Sequence, residues 1–115
     1  MKRDLGLYLD DILECIERIQ AYTKGVTEEE FYQTVLLEDA AIRRLEIIGG
    51  AARHLPQRSR DKHPNVPWQD IVGMRNRLVH EYFGIQLRRA WKVVKEDLTD
   101  LKDTILKIKE DLPQP

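Results

Sequence analysis

The chain has 115 residues, 42% of them hydrophobic and 34% charged, with a formal net charge of -1 and a mean hydropathy of -0.52. That length suits one domain with a core of modest stability. No apolar run approaches the roughly 18 residues of a membrane span, and the single cysteine, Cys15, excludes an internal disulfide. Acids within the first apolar stretch and the lack of a small-residue cleavage site argue against a signal peptide, so the cytoplasm is the expected location.

The first element is a helix. Leu5, Leu9, Ile12, Ile16 and Ile19 recur at steps of three and four, with Tyr8, Cys15 and Tyr22 beside them. Cys15 is a small packed side chain on this reading. Lys24-Gly25 ends the helix, and Thr27 with Glu30 three residues later forms a capping box for the next. The acids at 28–30 suit the positive end of a helix rather than a metal site.

A second long stripe follows at Leu37, Ala41, Leu45, Ile48, Ala52 and Leu55, ended by Pro56. Gly49-Gly50 inside it costs about 1 kcal/mol per glycine against alanine, which implies close approach of another backbone. Residues 57–66 read as a polar, basic loop. Pro67 opens a further helix, with Trp68 as a core anchor. Leu87, Trp91, Val94, Leu98, Leu101, Ile105, Ile108 and Leu112 hold one heptad register, giving one long helix or two collinear ones joined near Asp97. No strand, repeat or low-complexity segment is evident. The expected fold is all-α, an antiparallel bundle of four to five helices over residues 1–112, with 113–115 a disordered tail.

Charge is unevenly spread. Residues 53–95 hold 10 Lys/Arg against 3 Asp/Glu, while 1–52 hold 6 against 11 and 96–115 hold 3 against 6. A local basic field can hold a polyanion on a nearly neutral molecule, although solvated basic faces would give the same counts. The histidines, His54, His63 and His80, are dispersed, and with one cysteine they form no metal-ligand cluster.

The segment "GMRNRLVHEYFGI", 73–85, breaks the pattern. On one helix over 67–83, at about 100° per residue, Trp68, Ile71, Val72, Leu78, Val79 and Tyr82 lie within about 60° of Arg75. Arg75 then occupies the centre of a face that should be buried. A buried arginine needs a partner, so either Asp39, Glu46 or an acid of the first helix neutralises it, or the face borders a polar cleft. His80 lies about 140° away on the same wheel. It is either a surface or helix-end histidine, or it cooperates with Arg75 because the helix ends early or because two chains contribute.

"RNRLVHEY", Arg75 to Tyr82, resembles the Arg-(four residues)-His-any-Tyr motif of the HepT-like toxins of the HEPN superfamily. "DAAIRRLEIIGGAARHLP" at 39–56, "PNVPWQDIVGMRNRLVHEYFGI" at 64–85 and "WKVVKEDLTDLKDTI" at 91–105 are similar to that family in the same order. The resemblance implies a HEPN-like symmetric homodimer, with the Arg and His of two chains facing each other across an interfacial groove. It implies metal-independent cleavage of RNA without a cofactor, and a small MntA-like nucleotidyltransferase antitoxin that attaches AMP to the motif tyrosine. Carried over, Arg75 and His80 are catalytic, Asn76 holds site geometry and Tyr82 is the AMPylation target. Tyr82 also reads as a half-buried packing residue with a polar tip. Where the family usually reads "IGEA", this chain reads "IGGA": Gly50 removes an acid from a face shared with Arg43, Ile47 and His54, which would widen the groove.

An imidazole titrating near neutrality can take or give the proton that RNA transesterification moves, and a guanidinium fits two phosphate oxygens at once. A C₂ dimer offers two of each. Arg53, Arg77, Arg88 and Arg89 are candidates for RNA backbone contacts beyond the groove, with Arg58, Arg60, Lys62, Lys92 and Lys95. The rival reading is a non-catalytic HEPN-type module that binds nucleotide or RNA or docks a nucleotidyltransferase. A plain structural bundle is the third.

Overall fold

The computed structural model describes residues 4–80 and 83–112. Among these the regular structure is all helical: α1 Leu5–Thr23, α2 Glu28–Gln33, α3 Val35–Ala52, α4 Gln57–Asp61, α5 Trp68–Val72, α6 Met74–His80, α7 Phe83–Lys92, a π-helical turn Val93–Asp97, and α8 Leu98–Glu110. The expected tail 113–115 lies outside the described residues.

α1 forms as its stripe dictates. Asp4 caps it by accepting from the Gly6 N–H at 3.2 Å. Leu9, Ile12, Cys15, Ile16 and Ile19 are buried. The chain turns at Gly25, whose φ of 74° is a conformation glycine adopts without steric penalty. The capping box is formed in full, with Thr27 Oγ1 accepting from Glu30 N–H and Glu30 Oε1 accepting from Thr27 N–H. Thr34 leaves helical geometry for one residue, so α2 and α3 are separate rods.

α3 runs antiparallel to α1, since Arg44 meets Cys15 near one end of the contact and His54 meets Tyr8 near the other. Ala41, Leu45, Ile48 and Ala52 fill the core between them and α5–α8. α8 is also antiparallel to α1: Lys109 Nζ lies 2.6 Å from Asp10 Oδ1, and Ile108 and Leu112 sit beside Leu5. Phe31 packs on Trp91 at 5.1 Å between ring centroids and ties α2 to α7.

Two expectations need adjustment. Residues 57–66 are not all loop, because Gln57–Asp61 wind into the short helix α4, with Pro56 O accepting from the Ser59 and Arg60 N–H groups and Gln57 bonded to Asp61 at 2.8 Å. The C-terminal pattern has its joint near Asp97, as expected, but there it winds as a π-helical turn rather than regular α-helix. It is continuous through the π-helical turn, which places Val93 and Val94 in the core side by side. The described residues contain no helix long and apolar enough to cross a membrane.

Candidate active site

The site is built where α5 and α6 meet α3. Trp68 is buried and its Nε1 donates to the His63 carbonyl at 2.9 Å, fixing the entry to α5. Ile71 then passes directly over Gly49: a Cβ built on Gly49 would stand 2.8 Å from the Ile71 carbonyl oxygen. The close approach expected of the glycine pair therefore occurs at Gly49. At Gly50 a Cβ would have nothing within 4 Å.

Helix α5 stops at Gly73 and α6 restarts at Met74. Met74 is buried, while Arg75 and Asn76 are exposed. This corrects the expectation that Arg75 centres a buried face. That expectation assumed one unbroken helix over 67–83, and the interruption at Gly73 turns α6 so that Met74 takes the inward position. Asp70 and Arg77 pair across the corner at 2.7 Å.

Arg75 opens into a cleft of about 240 Å³ lined by Arg53, Val72, Arg75 and Asn76. Among the described residues no ion pair reaches Arg75, and Glu46, one expected partner, lies 3.9 Å from Arg43 instead. Of the two explanations for this arginine, the polar cleft fits. Two guanidinium groups in one open recess, with a neutral amide beside them, suit an anion.

α6 remains helical through His80, of which the backbone alone is described. The helix does not end before residue 80, so Arg75 and His80 of one chain are separated by about 7.5 Å of rise and about 140° of rotation. Tyr82 lies outside the described residues. Arg43 is exposed and Ile47 and Gly50 are half-buried on α3, but the cleft takes Arg53 of that chain segment and none of these three. Arg77 is held by Asp70. Arg88 is exposed elsewhere, at a cavity of about 190 Å³ with Tyr32, Gly84 and Leu87, and Arg89 is half-buried.

Among the described residues six titrating groups are displaced from their ordinary values, none of them in the cleft, and three bear on the fold and its stability. Burial pushes the Cys15 thiol up, against the opposing contact from Arg44 Nη1 at 3.8 Å. Burial and the hydrogen bond to Glu28 push Tyr32 up to about 12. Glu38, only 2% exposed, has Oε2 without a hydrogen-bond partner, and burial followed by the charge of Asp39 raises its pKa. The sequence carried a signal for Glu38, which stands one turn before Ala41 on the buried stripe. It carried none for the stack of Tyr8 on His54, rings 4.2 Å apart and 9° from parallel, because the residues are distant in sequence. Among the described residues no group of three or more His, Cys, Asp or Glu could hold a metal ion.

The family described as "Ribonuclease HepT-like" matches residues 12–108. A Methanocaldococcus jannaschii protein named "Gamma-glutamylcyclotransferase and putative RNase" is 47% identical over 112 residues, covering 97% of this chain and 50% of the relative. The chain thus spans half the length of that relative. A "Putative RNase" of the same organism is 44% identical, covering 90% of this chain and 95% of the relative. A "Probable ribonuclease HepT" of Thermococcus cleftensis is 41% identical, covering 96% of this chain and all of the relative. No solved structure matches the chain. With an all-helical architecture and a family match over most of its length, the chain belongs to the HepT-like ribonucleases of the HEPN superfamily.

Proposed function

We propose that this chain is the toxin of a toxin–antitoxin pair, a metal-independent endoribonuclease that acts as a homodimer in the cytoplasm. Arg75 grips the scissile phosphate, assisted by Asn76. His80 takes the proton from the 2′-OH as that oxygen attacks phosphorus. The P–O5′ bond breaks, and the same His80 imidazolium gives that proton to the departing 5′-oxygen, so one Arg75 from one chain and one His80 from the other complete a site. The products are a 2′,3′-cyclic phosphate and a free 5′-OH. AMP attached to Tyr82 by an MntA-like nucleotidyltransferase would add negative charge beside Arg75 and silence the enzyme.

The observation that carries this reading is the exposure of Arg75 in a doubly cationic cleft on a helix that continues through His80. The wheel separation then calls for a second chain. A strip on α3 supports one: Leu36, Ala40, Arg43, Ile47 and Gly50 follow heptad spacing, and Leu36 is 84% exposed.

Mixing Arg75→Ala with His80→Ala protein tests the composite site. Each homodimer is inactive, but mixed dimers hold one intact Arg/His pair, so about a quarter of wild-type RNA cleavage returns. No recovery after confirmed subunit exchange would reject the two-chain site. The open space beside Gly50 keeps a second reading, a non-catalytic RNA- or nucleotide-binding dimer. Wild-type protein that binds RNA without cutting it would establish that reading instead.

A further inference from the structure

A second concave site lies at the same end of the bundle as the Arg75 cleft. It has a volume of about 410 Å³, within the range of ligand pockets. Its floor is apolar, from Leu5, Pro56 and Leu112, where α1 begins and α8 ends. Its rim carries Arg58, Ser59 and Lys62 from α4, with His63 beyond and Asp111 as its one carboxylate. Among the described residues neither Arg58 nor Lys62 has an ion pair.

The chain itself joins this pocket to the cleft. Arg53 lines the cleft and Pro56 lines the pocket, so at most about 11 Å separates their Cα atoms. Between them stands His54, exposed and stacked on Tyr8 of α1. Along the chain the order is Arg53 at the cleft with Arg75, then His54 with its Tyr8 stack, then Pro56, Arg58 and Lys62 at the apolar hollow. Alternating cations and π-faces are what a single-stranded nucleic acid requires, because its phosphates and bases alternate in the same way. Three other basic residues of the central segment do not join this line: Arg77 is paired with Asp70, Lys95 lies 4.7 Å over the Trp91 ring, and Arg88 sits with Tyr32.

We propose that single-stranded RNA leaving the Arg75 cleft crosses the Tyr8–His54 stack, with a base on the outer face of His54, and enters the α4 pocket, where Arg58 and Lys62 hold a phosphate beyond the scissile one. This rests on the ribonuclease reading for the identity of the polymer. It adds an extended subsite and restricts the enzyme to unpaired RNA, since a duplex cannot offer a base to His54.

The test is fluorescence anisotropy of a labelled ten-nucleotide single-stranded RNA with the purified full chain, across a salt series. Arg58→Ala/Lys62→Ala should weaken binding about tenfold and lower the salt slope by about 0.7, the value for one phosphate on a single strand. The equally discharged control Arg18→Ala/Lys24→Ala should change affinity by no more than about twofold, since both residues are exposed and lie about 20 Å or more along α1 from Leu5 of the pocket. His54→Ala should weaken binding about tenfold while leaving the melting temperature of the unliganded protein within about 2 °C, and His54→Tyr should restore binding. Thermal melts verify that each variant is folded. Unchanged binding by the α4 variant, or equal loss with the control, overturns the path. So does equal affinity for an RNA hairpin of the same length. Absence of RNA cleavage by the wild-type chain would defeat the ribonuclease reading without altering this comparison, which reads binding alone.

Discussion

The Ile71 carbonyl lies against Gly49 so closely that a methyl group there would come within 2.8 Å of the oxygen, while its neighbour Gly50 faces open space. Adjacent glycines therefore have opposite roles. One lets the α5–α6 corner seat on α3; the other leaves a gap on the helix surface.

Alanine at these two positions should move stability in opposite directions. Gly49→Ala must push back a backbone carbonyl, and overpacking of this kind costs about 1–3 kcal/mol. Gly50→Ala meets no obstacle and should gain about 0.5–1 kcal/mol from helix propensity. Urea denaturation of both variants measures this. Two changes of the same sign would show that the corner is not seated as described.

The fold was legible in sequence wherever its cause was local. The α1 stripe and the Thr27/Glu30 capping box depend on spacings of three and four and were recovered from them. The exposure of Arg75 was not legible, because the wheel that buried it assumed an unbroken helix. The interruption at Gly73 goes with the way Ile71 sits on Gly49, a contact between distant segments. The Tyr8–His54 stack is of the same kind: it depends on the antiparallel pairing of α1 with α3, and neither residue carries a local sign of it. At the candidate site, the sequence motif named Arg75 and Asn76, but the presence of Arg53 beside them required the tertiary structure.

Arg75 is exposed, so its removal should leave the fold intact. Arg75→Ala should change stability by less than about 0.5 kcal/mol and lower RNA cleavage by at least about 100-fold. Arg75→Lys retains the charge without the fork that engages two oxygens, and should recover only part of the loss. A lysine variant cutting at the wild-type rate would show that charge alone suffices.

Glu38 gives stability a definite pH dependence. Its folded-state pKa is raised above the ordinary 4.5. Below that value both states hold the proton and nothing is lost. As pH rises past it the unfolded chain ionises first, and stability falls until the buried carboxyl also ionises. Glu38→Gln removes this loss. The variant should match the wild type near pH 4 and exceed it by about 1–2 kcal/mol at neutral pH. A difference independent of pH would point to packing rather than ionisation.

The Asp70–Arg77 pair spans the corner at 2.7 Å, yet both side chains are about half exposed, at 53% and 41%. A double-mutant cycle with Asp70→Asn and Arg77→Gln should return a coupling below about 1 kcal/mol, shrinking further in 0.5 M salt. A larger, salt-insensitive coupling would mean that the corner depends on this pair rather than on Gly49.

The π-helical turn at Val93–Asp97 amounts to one residue more than an α-helix needs to cover the same rise. Helical proteins usually resist single-residue deletions, because the amino acids downstream rotate out of phase. Here the surplus gives the chain a spare position: excision of the exposed Glu96 could let the segment relax to ordinary winding while Trp91 and Leu98 keep their places. The long C-terminal rod thus carries a built-in site where shortening, elsewhere ruinous, is accommodated.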